Sequence, residues 1–132
     1  PGDRVEIVCD GANWKTKRGY YSYDSGAQTV TTGGTLTLAH GLGVTPALDS
    51  IECTLTNVTG EANWTTGQVM KIPFGGYQNA AEANNFTMQP DATNLNLRYG
   101  STAIAGVNRT TGAIATLTAA NWTLRVKARA VY

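Results

Sequence analysis

The sequence predicts an all-β fold, a sandwich or a barrel, and three observations carry the prediction. Apolar and polar residues alternate through stretch after stretch, while helical periodicity is scarce. Thr and Val are abundant in the alternating stretches, as a pleated, half-buried surface favours. Between them lie Gly-, Asn- and Pro-bearing turn signals: "DGAN", "TTGG", "HGLG", "NVTGE", "FGGY", "QPDATN" and "NRTTG".

The strands can be placed in order. Val5, Ile7 and Cys9 face inward against Arg4 and Glu6. Leu36, Leu38 and His40 share one face against Thr35 and Thr37, and Ile51, Cys53 and Leu55 oppose Glu52, Thr54 and Thr56. Met70, Ile72 and Phe74 extend the pattern, followed by Leu95, Leu97 and Tyr99. The C-terminal stretch is the clearest. Trp122, Leu124, Val126, Ala128, Ala130 and Tyr132 fall on one face, and Thr123, Arg125, Lys127 and Arg129 on the other. A period of two sustained over eleven residues is a long strand with one wet face. The segment "NAAEANN" at 79–85 has too few core-facing apolar residues for a structural helix and reads as a loop with at most one turn.

A chain of 132 residues fits one domain with a real core and a short appended segment. Residues 1–18 read as the end of a stalk or connector, because "GDRVEIVCDGANW" is a strand–turn–strand phrase closed by the charged "KTKRG". It is too short for a core of its own and must pack on the body, on another subunit or on a preceding stalk. Residues 19–132 form the body. The chain begins with Pro rather than Met, which reads as a processed product or part of something longer.

Only 14% of residues are charged, against a usual value of about 25%, so neutral Thr, Asn, Gln and Gly must carry solubility. Ten basic and nine acidic residues leave a formal charge of +1, with no nucleic-acid footprint. The short run Lys15, Lys17, Arg18 reads as a solvated loop or a subunit contact. No stretch approaches the ~18 apolar residues of a membrane span, so no membrane insertion is expected. Cys9 and Cys53 both occupy apolar-phase strand positions and read as free core thiols, which fits folding in a reducing cytoplasm.

The residues give little for catalysis. His40 is the only histidine, so a multi-histidine site is excluded. It directly precedes the turn "GLGVTP" in phase with Leu36 and Leu38, as a strand-end histidine bonded to neighbouring backbone would. A dyad of His40 with Cys53 or Cys9 lacks a third group. Asp49 and Glu52, three apart on a strand, would point to opposite faces rather than form a glycosidase pair. The glycines of "HGLG" and "FGGY" do not match a phosphate loop, and no metal or cofactor is expected. N-x-T sequons at Asn57, Asn63, Asn85, Asn108 and Asn121 are explained by chance in so Asn- and Thr-rich a chain.

Binding loops are the better prospect. The irregular stretch 75–94 has few large apolar residues apart from Tyr77, Phe86 and Met88, and long loops on β scaffolds serve a purpose. Tyr77 among Gln78, Asn79, Asn84 and Asn85 mixes a flat ring with planar amides, which suits sugars: C–H faces lie on the ring and hydroxyls pair with amides. A plain surface loop or a subunit contact is the competing reading. Each tryptophan follows Ala-Asn, at Trp14, Trp64 and Trp122. Trp122 opens the C-terminal strand in apolar phase and Trp14 closes the stalk-like phrase. Trp64, in the polar turn "TGEANWTTG", has no apolar neighbours in phase and is the tryptophan to consider for ligand contact.

The stretch "TLTLAHGLGVTPALDSIECTL" resembles the distal domains of bacteriophage tail fibres and related virion spikes: a Thr/Gly-rich strand, "HGLG", then a Val-x-Pro step into a strand ending near a cysteine. The ending "TGAIATLTAANWTLRVKARAVY" resembles the final strands of those domains, and "GDRVEIVCDGANW" is similar to the phrase closing trimeric β-prism stalk segments. The likeness covers roughly residues 2–14 and 28–132. It implies a homotrimeric, jelly-roll-like antiparallel β-sandwich at a fibre tip, carried in a virion. It also implies no enzymatic activity, attachment to other virion structural proteins through an N-terminal part, and recognition of host surface polysaccharide or protein. The competing expectation is a purely structural virion module, such as a head fibre, decoration domain or trimerisation cap.

Overall fold

A computed structural model describes residues 22–72 and 84–130 in full, and the backbone path alone for 7–9, 14–16, 20–21, 77–79, 82–83 and 131. The described residues are all-β, and every pair of named strands is antiparallel. An isolated bridge between Asn84 and Ala103 is parallel. Strands β1 (Ile7–Cys9) and β2 (Trp14–Thr16) form a two-stranded sheet of their own. The side chains of Cys9 and Trp14 lie outside the described residues, as does Phe74.

The largest sheet runs in the order β3 (Tyr20–Asp24), β14 (Trp122–Val131), β6 (Glu52–Asn57), β7 (Val69–Lys71), with β4 (Gln28–Thr29) also pairing with β14. A three-stranded sheet runs β10 (Phe86–Pro90), β11 (Asn94–Tyr99), β5 (Thr35–Ala39). Two short hairpins complete the set: β8 (Tyr77–Asn79) with β9 (Glu82–Ala83), and β12 (Ile104–Val107) with β13 (Ile114–Leu117).

The alternation read from the sequence becomes burial. Leu124, Val126, Ala128 and Ala130 of β14 are each at most 3% exposed, while Arg125, Lys127 and Arg129 face solvent. Cys53 and Leu55 of β6, both 1% exposed, lie on the same side of the sheet. Leu95, Leu97 and Tyr99 of β11, Leu38 of β5 and Phe86 of β10 join them in one apolar cluster, so both large sheets share a core. Cys53 is a free thiol; burial first, and the Glu52 charge second, push its pKa up to about 12. A thiol held protonated in this way is no nucleophile.

Three segments differ from the sequence reading. Residues 86–90 are not loop but β10, because Phe86 and Met88 alternate with exposed Thr87 and Gln89 and pair with Tyr99 and Leu97. Residues 77–79 and 82–83 pair as short strands within the stretch read as irregular. Asp49 sits in a 3-10 turn, Leu48–Ser50, so Asp49 and Glu52 are not on one strand; the turn follows Pro46.

Candidate functional site

The segment after β6 builds the most elaborate local structure in the described chain. Asn57, fully buried, accepts the Gly60 N–H on Oδ1 at 2.5 Å, while its Nδ2 has no partner among the described residues. Burial at this degree also removes Asn57 as a glycan acceptor. Glu61 and Trp64 then exchange backbone hydrogen bonds of 3.1 and 2.8 Å around Ala62 and Asn63, whose φ angles are 52° and 62°. Positive φ at both central positions defines a type I′ turn. Asn tolerates that region well; Ala62 adopts it at a steric cost.

This turn aims Glu61 and Trp64 at separate partners. The Glu61 carboxylate accepts the Trp122 indole N–H at 2.7 Å and the Thr118 N–H at 3.0 Å. Burial works against its ionisation, but bonds from Thr118, Trp122 and Asn121 outweigh that and hold its pKa below the ordinary glutamate value. The Trp64 ring meets the Trp122 ring edge-on, 6.2 Å between centroids at 73°. Its indole N–H donates to the Val107 carbonyl at 2.9 Å. The Arg109 N–H bonds the Ala62 carbonyl at 3.1 Å and the Asn63 amide bonds Asn108 Oδ1 at 3.1 Å, so the turn is tied to the β12–β13 loop. Trp64 therefore does have apolar neighbours, supplied by distant stretches of chain.

Beside this junction lies a groove of about 580 Å³. One wall is β7 and Ile72; the other is β12 and Ile114 of β13; Trp64 and Asn85 complete the lining. Its rim is open to water and largely apolar, with Ile114 73%, Val69 53% and Val107 51% exposed, and Lys71 adds one exposed cation. Open apolar patches of this kind mark ligand or subunit contacts.

The residues expected at a binding site divide. Trp64 and Asn85 line the same groove although 21 positions separate them in sequence. Asn85 is held at φ 65°, with Oδ1 accepting the Ala105 N–H at 2.9 Å, and its Nδ2 has no protein partner among the described residues. Asn84 is 8% exposed beside Ala103, beyond reach of a surface ligand. Tyr77 and Asn79 lie on β8, and their side chains fall outside the described residues. Val69, Val107 and Ile114 were not singled out from sequence. A signal existed for two of them: the turn "NRTTG" brings Val107 and Ile114 opposite each other as partners in the hairpin register.

His40 has a structural role. Its Nδ1 accepts the Leu42 N–H at 3.0 Å and its Nε2–H donates to the Asp91 carbonyl at 3.0 Å, fixing one neutral tautomer and tying the "HGLG" turn to the β10–β11 loop. Across that loop, the Asp91 carboxylate accepts the Thr93 and Asn94 N–H groups at 2.7 Å each. Among the described residues no three His, Cys, Asp or Glu side chains gather as metal ligands.

The strands and their register make the described residues an all-β arrangement of antiparallel sheets. No family model, no curated protein and no solved structure matches the chain.

Proposed function

We propose that this chain is a β-sandwich adhesion module at the tip of a bacteriophage tail fibre or related virion spike. It works as a homotrimer, with residues 1–18 as its connector to other virion proteins. The two large sheets are the sandwich layers. Host surface polysaccharide, or a surface protein, is held in the Trp64 groove by contacts that are individually weak and multiplied by trimeric, multi-copy presentation. The observation that carries the reading is the convergence of Trp64 and Asn85 on one groove with an exposed apolar rim. The Trp64 indole and apolar walls suit sugar C–H faces, and the Asn85 amide suits hydroxyls.

The test is binding of the protein, displayed multivalently, to an array of bacterial surface polysaccharides and to whole cells. Ile114→Ser and Val69→Thr alter exposed positions and leave the fold intact; each weakens binding, and Trp64→Ala abolishes it. Wild-type protein that binds no surface in multivalent form overturns the adhesion reading. Light scattering should give three times the 14.0 kDa chain mass, and a monomer refutes the trimer.

A second reading has its own observation. The exposed Val69, Val107 and Ile114 would also suit a subunit contact, as in a purely structural virion module. Under that reading Ile114→Ser lowers the oligomer mass and changes no ligand binding.

A further inference from the structure

The groove beside Trp64 lies along strand edges rather than on a sheet face. Val69, Met70, Lys71 and Ile72 line it in an unbroken run, as do Ala105, Gly106 and Val107. Side chains of consecutive strand residues point to opposite faces, so a groove that touches all of them runs along an edge. The hydrogen bonds agree. β7 ends the large sheet, with β6 as its one neighbour there. The Asn57 N–H bonds the Gln68 carbonyl at 2.9 Å, and the Ile72 N–H bonds the Cys53 carbonyl at 3.0 Å. In this register residues 68, 70 and 72 turn their main-chain groups toward β6. Val69 and Lys71 turn theirs outward, two N–H and two C=O groups with no partner among the described residues.

The opposite wall repeats the pattern. The Asn108 N–H bonds the Ala113 carbonyl at 2.8 Å, which sets Ile104 and Gly106 toward β13 and Ala105 and Val107 away from it. Side chains take two of the four outward groups: Asn85 Oδ1 accepts the Ala105 N–H, and the Trp64 indole donates to the Val107 carbonyl. The Ala105 carbonyl and the Val107 N–H are left without a partner among the described residues. A lysine on an edge strand can guard it against pairing. Here the Lys71 ammonium leans back over the sheet toward Glu52 of β6, 3.6 Å away, and leaves the edge open.

We propose that the groove takes an extended polypeptide segment of a partner protein, added at the β7 edge as a sixth strand of the five-stranded sheet. Val69 and Lys71 supply the main-chain hydrogen bonds, and alternate apolar side chains of the segment cover the exposed Val69, Val107 and Ile114. A strand carries N–H and C=O groups in a fixed row at the spacing of this edge; a glycan has no such row. Four main-chain groups on a three-residue strand make a single site weak, in keeping with multivalent presentation. The inference rests on the reading of this groove as the adhesion site and names its ligand as polypeptide rather than polysaccharide.

The test is an NMR titration of the ¹⁵N-labelled full chain with a heptapeptide of alternating threonine and valine. In parallel it uses the same peptide N-methylated at every residue, which keeps the side chains and loses the donors. Solvent exchange of the Val69 and Lys71 amides should slow about twofold at half-saturation by the first peptide, and the N-methylated form should not bind. Lys71→Pro and Lys71→Thr both lose the ammonium, but only proline also removes the outward N–H, and neither breaks a bond to β6. Lys71→Pro should bind the peptide at least about fivefold more weakly than Lys71→Thr, as one lost hydrogen bond implies. Circular dichroism checks that both variants fold; if Lys71→Pro does not, the exchange and N-methylation results decide alone. The proposal falls if the peptide does not bind, if its N-methylated form binds equally, if exchange at Val69 and Lys71 is unchanged at saturation, or if folded Lys71→Pro binds as Lys71→Thr does. Val69 and Lys71 amides already protected without peptide, in step with a concentration-dependent oligomer mass, would assign the edge to a second copy of the chain and also overturn it. Failure here, with polysaccharide or whole-cell binding still sensitive to Ile114→Ser, leaves the adhesion reading standing.

Discussion

Replacing Glu61 by alanine removes the acceptor of the Trp122 indole N–H, a 2.7 Å bond at a residue only 3% exposed. A buried donor left without a partner costs about 1–3 kcal/mol, and a hydrogen bond to a charged group contributes about 1.5–3 kcal/mol. The Thr118 N–H, also served by Glu61, lies at an exposed residue and can turn to water, so it adds little. The expected loss for Glu61→Ala is therefore about 2–3 kcal/mol, against about 1 kcal/mol for Glu61→Gln, which keeps one acceptor oxygen. Urea unfolding followed by far-UV circular dichroism at neutral pH measures both. The pH dependence has a fixed sign. The folded Glu61 pKa is lowered, so its stabilisation is complete above the ordinary value of 4.5 and lost as pH falls through the folded one. The gap between wild type and Glu61→Gln should narrow below about pH 4.5 and stay constant above about pH 6. A double-mutant cycle isolates the bond: in a Trp122→Phe background, Glu61→Ala should cost much less. The reasoning is refuted if Glu61→Ala lies within about 0.5 kcal/mol of wild type, or costs as much without the indole as with it.

Other outcomes follow from single positions. Leu124, 0% exposed at the centre of the core, should lose about 3–5 kcal/mol on Leu124→Ala in the same unfolding assay. Asp24→Asn should cost under about 1 kcal/mol and nothing measurable at high salt, because the Asp24–Arg125 pair is exposed. In the wild type the Asp24 carboxyl should titrate at about 2 by NMR, held down first by Arg125 and then by the Gly26 N–H. Gly60→Ala should cost about 1–2 kcal/mol from backbone strain alone, since φ is 87° and its nearest neighbour, the Trp64 carbonyl oxygen, would lie 3.7 Å from the new Cβ. Gly106→Ala would instead press on Leu117, 2.9 Å from the new Cβ, and should cost about 1–3 kcal/mol by overpacking.

How far the sequence discloses the molecule depends on the range over which each feature is determined. The inward phase of Leu124, Val126, Ala128 and Ala130 is set by a local period of two, and it is plain before any coordinates. The His40 role is nearly as local, because one of its bonds reaches Leu42, only two residues on. β10 was hidden by its setting: Phe86 and Met88 alternate correctly, but Asn84, Asn85 and Pro90 around them read as loop. The groove was hidden for another reason. Its walls come from β7 and β12–β13, brought together by tertiary packing and by the Trp64–Val107 bond, which no local pattern encodes. Trp64 looked isolated because its apolar partner, Trp122, lies far along the chain.

The position of β14 between β3 and β6 has a consequence for biogenesis. The Asp24–Arg125 pair spans 101 residues, and every other strand of the large sheet is synthesised before the strand that joins them. Until β14 emerges, β3 and the β6–β7 hairpin present open edges with apolar inward faces, the kind of surface that invites association with neighbouring nascent chains. The interval between translating residue 57 and residue 131 is the window in which chaperone protection matters most, and slow, non-local closure is the expected folding regime.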